Sequence, residues 1–308
     1  MGTHRRILVT GGTGFIGRHV LAALEKSVEW HEIHALRRAS SQRPPDFDGI
    51  IWHDGDLLEP PMADALIDRI KPSHLVHTAW VTEHGAFWTH PDNAAWLDAS
   101  LRLADAFARH GGQRFIQLGT VAEYNWQSGR MIEGVTPEQP ATPYGKAKLA
   151  FHRALVKHTI SGRFSAATAR VFFVYGAHEK PGRLIPTACR ALITGQPEAF
   201  GQLNQWRDFL HVADLARGIV ALTQSSLEGA VNIGSGGPVR LSLLLDTLER
   251  LTGQKEVFQR GVRADPSGEP PILFADVGRL AKTGWLPMVT YEEGLSNALD
   301  YWRGQLAR

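Results

Sequence analysis

Along the chain, short runs of β-branched and aliphatic residues alternate with longer stretches whose apolar positions recur at helical spacing. Arg6–Thr10 is the first such run; it stops at Gly11 and Gly12, and helical spacing then extends from Phe15 to Lys26. The same alternation predicts strands at Glu32–Leu36, near Gly49–Trp52, and at His74–His77, Arg114–Leu118 and Ala166–Val174. It predicts helices at Met62–Ile70, about Asn93–Arg109 and Pro143 to about His158. Repeated strand–helix units with mostly apolar strands imply an α/β fold, a doubly wound parallel sheet with helices on both faces. After Tyr175-Gly176 prolines and glycines become frequent and strands short, with helices expected at about Leu184–Thr194, Val212–Gln224, Leu241–Leu251 and Tyr291–Gln305. The expected division is a first domain over 1–176 and a smaller C-terminal substrate-binding lobe over 177–308, with 209–235 returning to the first domain.

Composition narrows the function classes. The 308 residues carry a net charge of only +2, too balanced for nucleic-acid binding through overall charge. With 43% hydrophobic and 21% charged residues the chain has an ordinary globular composition, and no apolar run reaches the roughly 18 residues a membrane span needs. The one cysteine, Cys189, cannot form an internal disulfide, and no Cys/His spacing suits zinc, so no metal is expected. The basic start leads into only a short apolar run, not a signal-peptide core, and the protein is read as cytoplasmic.

Gly11, Gly14 and Gly17 stand at G-x-x-G-x-x-G spacing between the first strand and the first helix, the context of a Rossmann-like dinucleotide turn. Glycines let the backbone turn tightly and present amide groups, those of Phe15 and Ile16 included, to a pyrophosphate at the helix N-terminus. An NAD site usually carries an acid about 20 residues after the glycines, at the ribose. Arg37 and Arg38 stand there instead, and a guanidinium can hold a 2′-phosphate in a forked contact, so NADP(H) is expected over NAD(H). Asp56, with Leu57 beside it after the third strand, is a candidate for the adenine; its bland reading is a turn former.

Thr142-Pro143-Tyr144-Gly145-Lys146-Ala147-Lys148 reads as a helix start with Thr142 as N-cap and Pro143 at the first helical position. Tyr144 and Lys148 are then i and i+4 on one face, where an ammonium can act on a phenol. The loop after the fourth strand lies where ligands of such sheets bind, making Thr82, Glu83 and His84 candidate sugar contacts.

With Thr120 added, these residues resemble the extended short-chain dehydrogenase/reductase family of sugar-nucleotide enzymes, and the likeness covers nearly the whole chain. The resemblance gives Thr120, four residues before Tyr124, the role of hydrogen-bonding the substrate oxygen. It makes Tyr144 the group that protonates the carbonyl oxygen, and Lys148 the group that holds the nicotinamide ribose while lowering the tyrosine pKa. Trp206-Arg207-Asp208-Phe209-Leu210-His211-Val212-Ala213-Asp214 is similar to a segment whose arginine grips a nucleotide diphosphate, and Arg183-Leu184-Ile185-Pro186 to one lining the same site. Phe173 stands where the family usually has asparagine. A homodimer through helices at about 93–109 and 143–158 is also implied.

The family's dehydratases place an acid one or two residues after the threonine; here those positions are Val121 and Ala122. Glu123 comes one residue late, on the opposite face of a strand-like segment. With Arg37 in place of the ribose acid, the sequence favours an NADPH-dependent ketoreductase of a nucleotide-linked 4-keto-6-deoxyhexose. A sugar-nucleotide epimerase is the alternative, and a non-catalytic NADP(H)-binding regulator a second one. Cys189, inside an amphipathic helix, is assigned no role.

Overall fold

A computed structural model describes residues 5–83, 85–126, 129–264 and 268–307. Seven parallel strands form the central sheet: β1 (Arg6–Thr10), β2 (Glu32–Arg37), β3 (Ile50–Asp54), β4 (His74–His77), β5 (Arg114–Thr120), β6 (Ser165–Val171) and β7 (Gly229–Ile233). Their order across the sheet is β7-β6-β5-β4-β1-β2-β3. Thr10 lies opposite Leu36 on one side and His77 on the other, so the chain reverses its direction of travel between β1 and β4. Ligands of doubly wound sheets bind at the carboxyl ends of the strands at such a switch point.

Helices cover both faces. α1 (Phe15–Glu25) and α6 (Val212–Gln224) pack on one face over a core that includes Val9, Val20, Leu24, Ile116, Leu215 and Ile219. α2 (Met62–Ile70), α3 (Asp92–Arg109) and α4 (Pro143–Ile160) cover the other, closing on Leu8, Leu66, Leu75, Phe107, Phe115 and Phe151. Each helix buries a stripe of aliphatic and aromatic residues against apolar strands, which is why the hydrophobic pattern reads so directly into layers.

α5 (Leu184–Thr194), α7 (Leu241–Thr252) and α8 (Tyr291–Leu306) enclose a separate core around Ile185, Leu192, Leu245, Leu248 and Trp302. Between this lobe and the sheet lie short strands: 130–131, 206–207, 239–240 and 272–275 form one small sheet, and 173–175 pairs with 209–211. The strand expected over Ala166–Val174 is therefore two. At Phe172 the chain donates its amide to Ile233 and leaves the central sheet, and Phe173 lines up with Phe209. Among the described residues no helix is long and apolar enough to cross a membrane.

Candidate active site

The glycine turn sits where the switch point requires close approach. Gly11 has φ of 73°, and a Cβ there would stand 2.8 Å from the Ala79 amide nitrogen. A Cβ on Gly17 would lie 2.2 Å from the Gly11 carbonyl oxygen, so any side chain there forces the turn open. α1 starts at Phe15 with Gly14 as N-cap and no side-chain cap, leaving its first amides to an incoming anion. The turn therefore fits a dinucleotide pyrophosphate. Thr78, the first residue after β4, braces it, its hydroxyl donating to the Thr10 carbonyl at 2.7 Å.

Of the residues expected around the adenosine half, Arg37 and Asp56 already have partners within the protein. Arg37, at the end of β2, lies opposite Asp54 at the end of β3, and the two form an ion pair at 2.8 Å. Arg37 also donates to the Ser41 carbonyl at 2.5 Å. Its charge is thus already answered within the protein, which removes the main reason for expecting a 2′-phosphate. Arg38 is exposed. Asp56 accepts from the Leu58 amide at 3.0 Å, closing its own turn, and Leu57 is buried in the core against Leu8 and Leu36 rather than lining a surface.

Thr120, Tyr144 and Lys148 come together at the carboxyl end of β5. Thr142 caps α4 by accepting from the Gly145 amide at 3.1 Å, with Pro143 at the first turn. Gly145 allows α4 to touch the turn after β5: a Cβ there would stand 2.3 Å from the Ala122 carbonyl oxygen. That contact brings the Tyr144 phenol to the Thr120 hydroxyl. Burial pushes the phenol up to about 12 and the Glu123 charge adds to the rise, while the Thr120 hydrogen bond and the Arg183 charge oppose it. Lys148 is 2% exposed, and its ammonium donates to the Leu118 carbonyl at 2.9 Å. It lies 5.9 Å from the Tyr144 ring centroid. Burial lowers the ammonium to about 7, against the attraction of Glu123.

Glu123 is fully buried and spent on structure. One oxygen accepts from the Thr120 amide at 2.9 Å and the other from the Arg170 guanidinium at 2.8 Å. Residues 121–123 form a single 3-10 turn rather than the strand-like segment expected, and it is the Thr120/Glu123 capping box, not strand alternation, that turns the carboxylate back into the protein.

The expected pair of diphosphate-gripping arginines has separate surroundings. Arg207 is 2% exposed and held by Glu269 at 2.6 Å and the Pro270 carbonyl at 2.9 Å, with the Phe173 ring beneath it at 5.9 Å. Arg183 lies over Phe87 at 5.5 Å, close enough to the Tyr144 phenol to act on its charge. Asp208 ties the 235–236 and 275 backbone together, and Asp214 accepts from the Met288 and Val289 amides; both serve the fold. Thr82 and Glu83 are exposed, Thr82 accepting from Lys180 at 3.2 Å, while His84 lies outside the described residues. Cys189 is buried, its thiol pushed up to about 12 by burial.

Two features escape a reading by motif. An aromatic wall surrounds Tyr144, with the rings of Phe87 at 5.1 Å, Trp88 at 5.8 Å and Trp80 at 6.4 Å, each meeting it edge to face. Glu179, 7% exposed, has one carboxyl oxygen without a partner among the described residues. Its carboxyl is pushed up to about 8 by burial, opposed by Arg183. The available cue was three large aromatics in one loop at the carboxyl edge of the sheet.

Comparison with known proteins fits this arrangement. A UDP-glucose 4-epimerase of Azospirillum brasilense is 29% identical over 98% of this chain and 92% of its own. One from Rhizobium meliloti is 26% identical over 92% and 93%. Among solved structures, MoeE5 in complex with UDP-glucose and NAD is 28% identical, with a TM-score of 0.83 over 98% of this chain and 99% of its own. The UDP-glucose 4-epimerase of Thermotoga maritima, 23% identical, has the same fold with a TM-score of 0.85 over 98% and 99%. These relatives favour the epimerase alternative over 4-keto reduction and lend no support to NADP. The model of the NAD dependent epimerase/dehydratase family matches residues 7–234, most of the chain and all of the glycine turn, Thr120, Tyr144 and Lys148, and the protein belongs to that family.

Proposed function

We propose that the protein is an NAD-dependent epimerase acting at C4 of a UDP-linked hexose. The observation that carries this reading is the meeting of Thr120, Tyr144 and Lys148 at the sheet edge that bears the glycine turn. The relative solved with UDP-glucose and NAD supports the choice of cofactor and substrate class. Gly11, Gly14 and Gly17 with the Phe15 and Ile16 amides hold the pyrophosphate, and Arg37, Arg38 and Asp56 border the adenosine, while Leu57 stays in the core. Arg207 serves the substrate diphosphate once Glu269 gives way. Arg183, Thr82 and Glu83 border the sugar.

NAD, when bound at the glycine turn, would supply a reversible hydride acceptor for C4 of the sugar, so that no net oxidation results. Tyr144 takes the proton of the C4 hydroxyl through its phenolate oxygen and gives it back after the sugar has turned over. The Thr120 hydroxyl orients that oxygen by donating to it. Lys148 places a positive charge near the phenol, whose pKa must fall from about 12 before it can act as a base. Phe87, Trp88 and Trp80 keep water from the phenol.

NADPH-dependent reduction of a 4-keto-6-deoxyhexose nucleotide would use the same three residues, but the Arg37–Asp54 ion pair weighs against it. A purely regulatory role leaves the assembled Tyr144 and Lys148 unexplained. A homodimer through α3 and α4 belongs to this proposal, with sedimentation of the purified protein as its test. Tyr144→Phe is expected to lower kcat by roughly 10²-fold or more while NAD stays with the protein. Unchanged turnover would remove Tyr144 from the mechanism and the reading with it.

A further inference from the structure

Lys148 stands out among the buried groups because, among the described residues, no carboxylate forms an ion pair with it. Glu123, the acid that acts on it electrostatically, is fully engaged by Arg170 and the Thr120 amide. What the ammonium meets instead is the face of Trp80, 3.8 Å from the ring centroid, and the Leu118 carbonyl. The Trp80 ring is itself fixed. Its indole N–H donates to Asn93 at 2.9 Å, and Asn93 donates in turn to the Phe87 and His90 carbonyls at 2.8 and 2.9 Å. Trp96 stacks against it at 6.2 Å, and Tyr144 meets it edge-on at 6.4 Å. A cation over an indole face is attracted by the ring quadrupole, most strongly where water is excluded.

We infer that Trp80 is a positioning residue for the proposed reaction, its anchored ring serving in place of a counter-ion to keep Lys148 charged and aimed at the Tyr144 site. The claim about the proton on Lys148 stands on the geometry; its consequence for turnover rests on the epimerase reading above. The charged or titratable groups facing Lys148 are Glu123 from the turn after β5, Tyr144 from α4 and His77 from β4. His77 is held neutral by burial, at about 3, so the ring face, the Leu118 carbonyl and Glu123 are what favour the charged amine.

The test compares wild-type protein with Trp80→Phe, which keeps an aromatic face, and Trp80→Leu, which does not; Trp80→Met serves if the leucine variant fails to fold. In protein labelled with 13C-lysine, the Lys148 Cε resonance, assigned by its loss in Lys148→Met, is followed against pH. The aliphatic variants are expected to lower its midpoint by about one pH unit, and Trp80→Phe by a few tenths. With UDP-glucose, the alkaline limb of kcat should move down by the same amount and kcat at neutral pH fall about fivefold, with KM within about twofold. An unmoved midpoint in an aliphatic variant, or an equal shift in Trp80→Phe and Trp80→Leu, overturns the inference. A shifted midpoint in a protein inactive on every UDP-hexose keeps the role of Trp80 and rejects the epimerase reading instead.

Discussion

Glu123→Gln separates a structural carboxylate from a chemical one. The substitution keeps a side-chain oxygen for the Thr120 amide but removes the charge facing Arg170, which is fully buried. Breaking a buried ion pair by deleting one partner typically costs about 3–5 kcal/mol, because the other charge is left uncompensated. Arg170 keeps Glu138 at 2.6 Å and the Tyr124 ring at 4.3 Å, which places the loss at the lower end, about 3 kcal/mol. For a chain of this size each kcal/mol lowers the midpoint by about 1.5–2 °C, giving about 4–6 °C in all. A melt followed by circular dichroism measures it, with kcat taken well below the transition. The expected outcome is a large drop in Tm with kcat within about tenfold of wild type. A Tm within about 2 °C of wild type, together with loss of turnover like that of Tyr144→Phe, would refute the reasoning and make Glu123 an acid of the reaction.

Two further outcomes are expected. Burial lowers the Lys148 ammonium from its usual 10.5 in the unfolded chain to about 7 in the folded protein. Between those values the unfolded chain holds the extra proton, so stability contributed by this site rises with pH from about 7 to 10. Lys148→Met should therefore stabilise the protein by roughly 2–4 kcal/mol at pH 6 and by little at pH 10. Urea titrations at both pH values check it, and parallel curves would contradict it. Asp54→Asn frees Arg37; since the Asp54 side chain is 56% exposed, the pair is worth about 1 kcal/mol at most, and the NADP-to-NAD affinity ratio by calorimetry should rise about threefold to fivefold. No change would mean that Arg37 does not face the cofactor.

The layers and their order follow from local signals. β1 over Arg6–Thr10, α2 over Met62–Ile70 and α6 over Val212–Gln224 keep the bounds their apolar spacing implies, because burial against a two-sided sheet enforces that spacing. The grouping of Tyr144 and Lys148 was equally legible, as a cap, a proline and an i,i+4 pair. Pairings across long separations were not. Arg37 meets Asp54 only because β2 and β3 align in one register, and Arg207 meets Glu269 only because 206–207 lies beside 272–275. The ring of Trp80 over Lys148 likewise depends on how α4 packs against the loop after β4, which no spacing records.

The most direct test incubates the purified protein with NAD and, separately, UDP-glucose, UDP-N-acetylglucosamine and UDP-glucuronic acid, separating the C4 isomers by chromatography while nicotinamide absorbance is followed. Interconversion of one pair of isomers with no net change in absorbance is the result this account requires. Stoichiometric oxidation of NADPH by a 4-keto-6-deoxyhexose nucleotide, with no UDP-hexose interconverted, would contradict it.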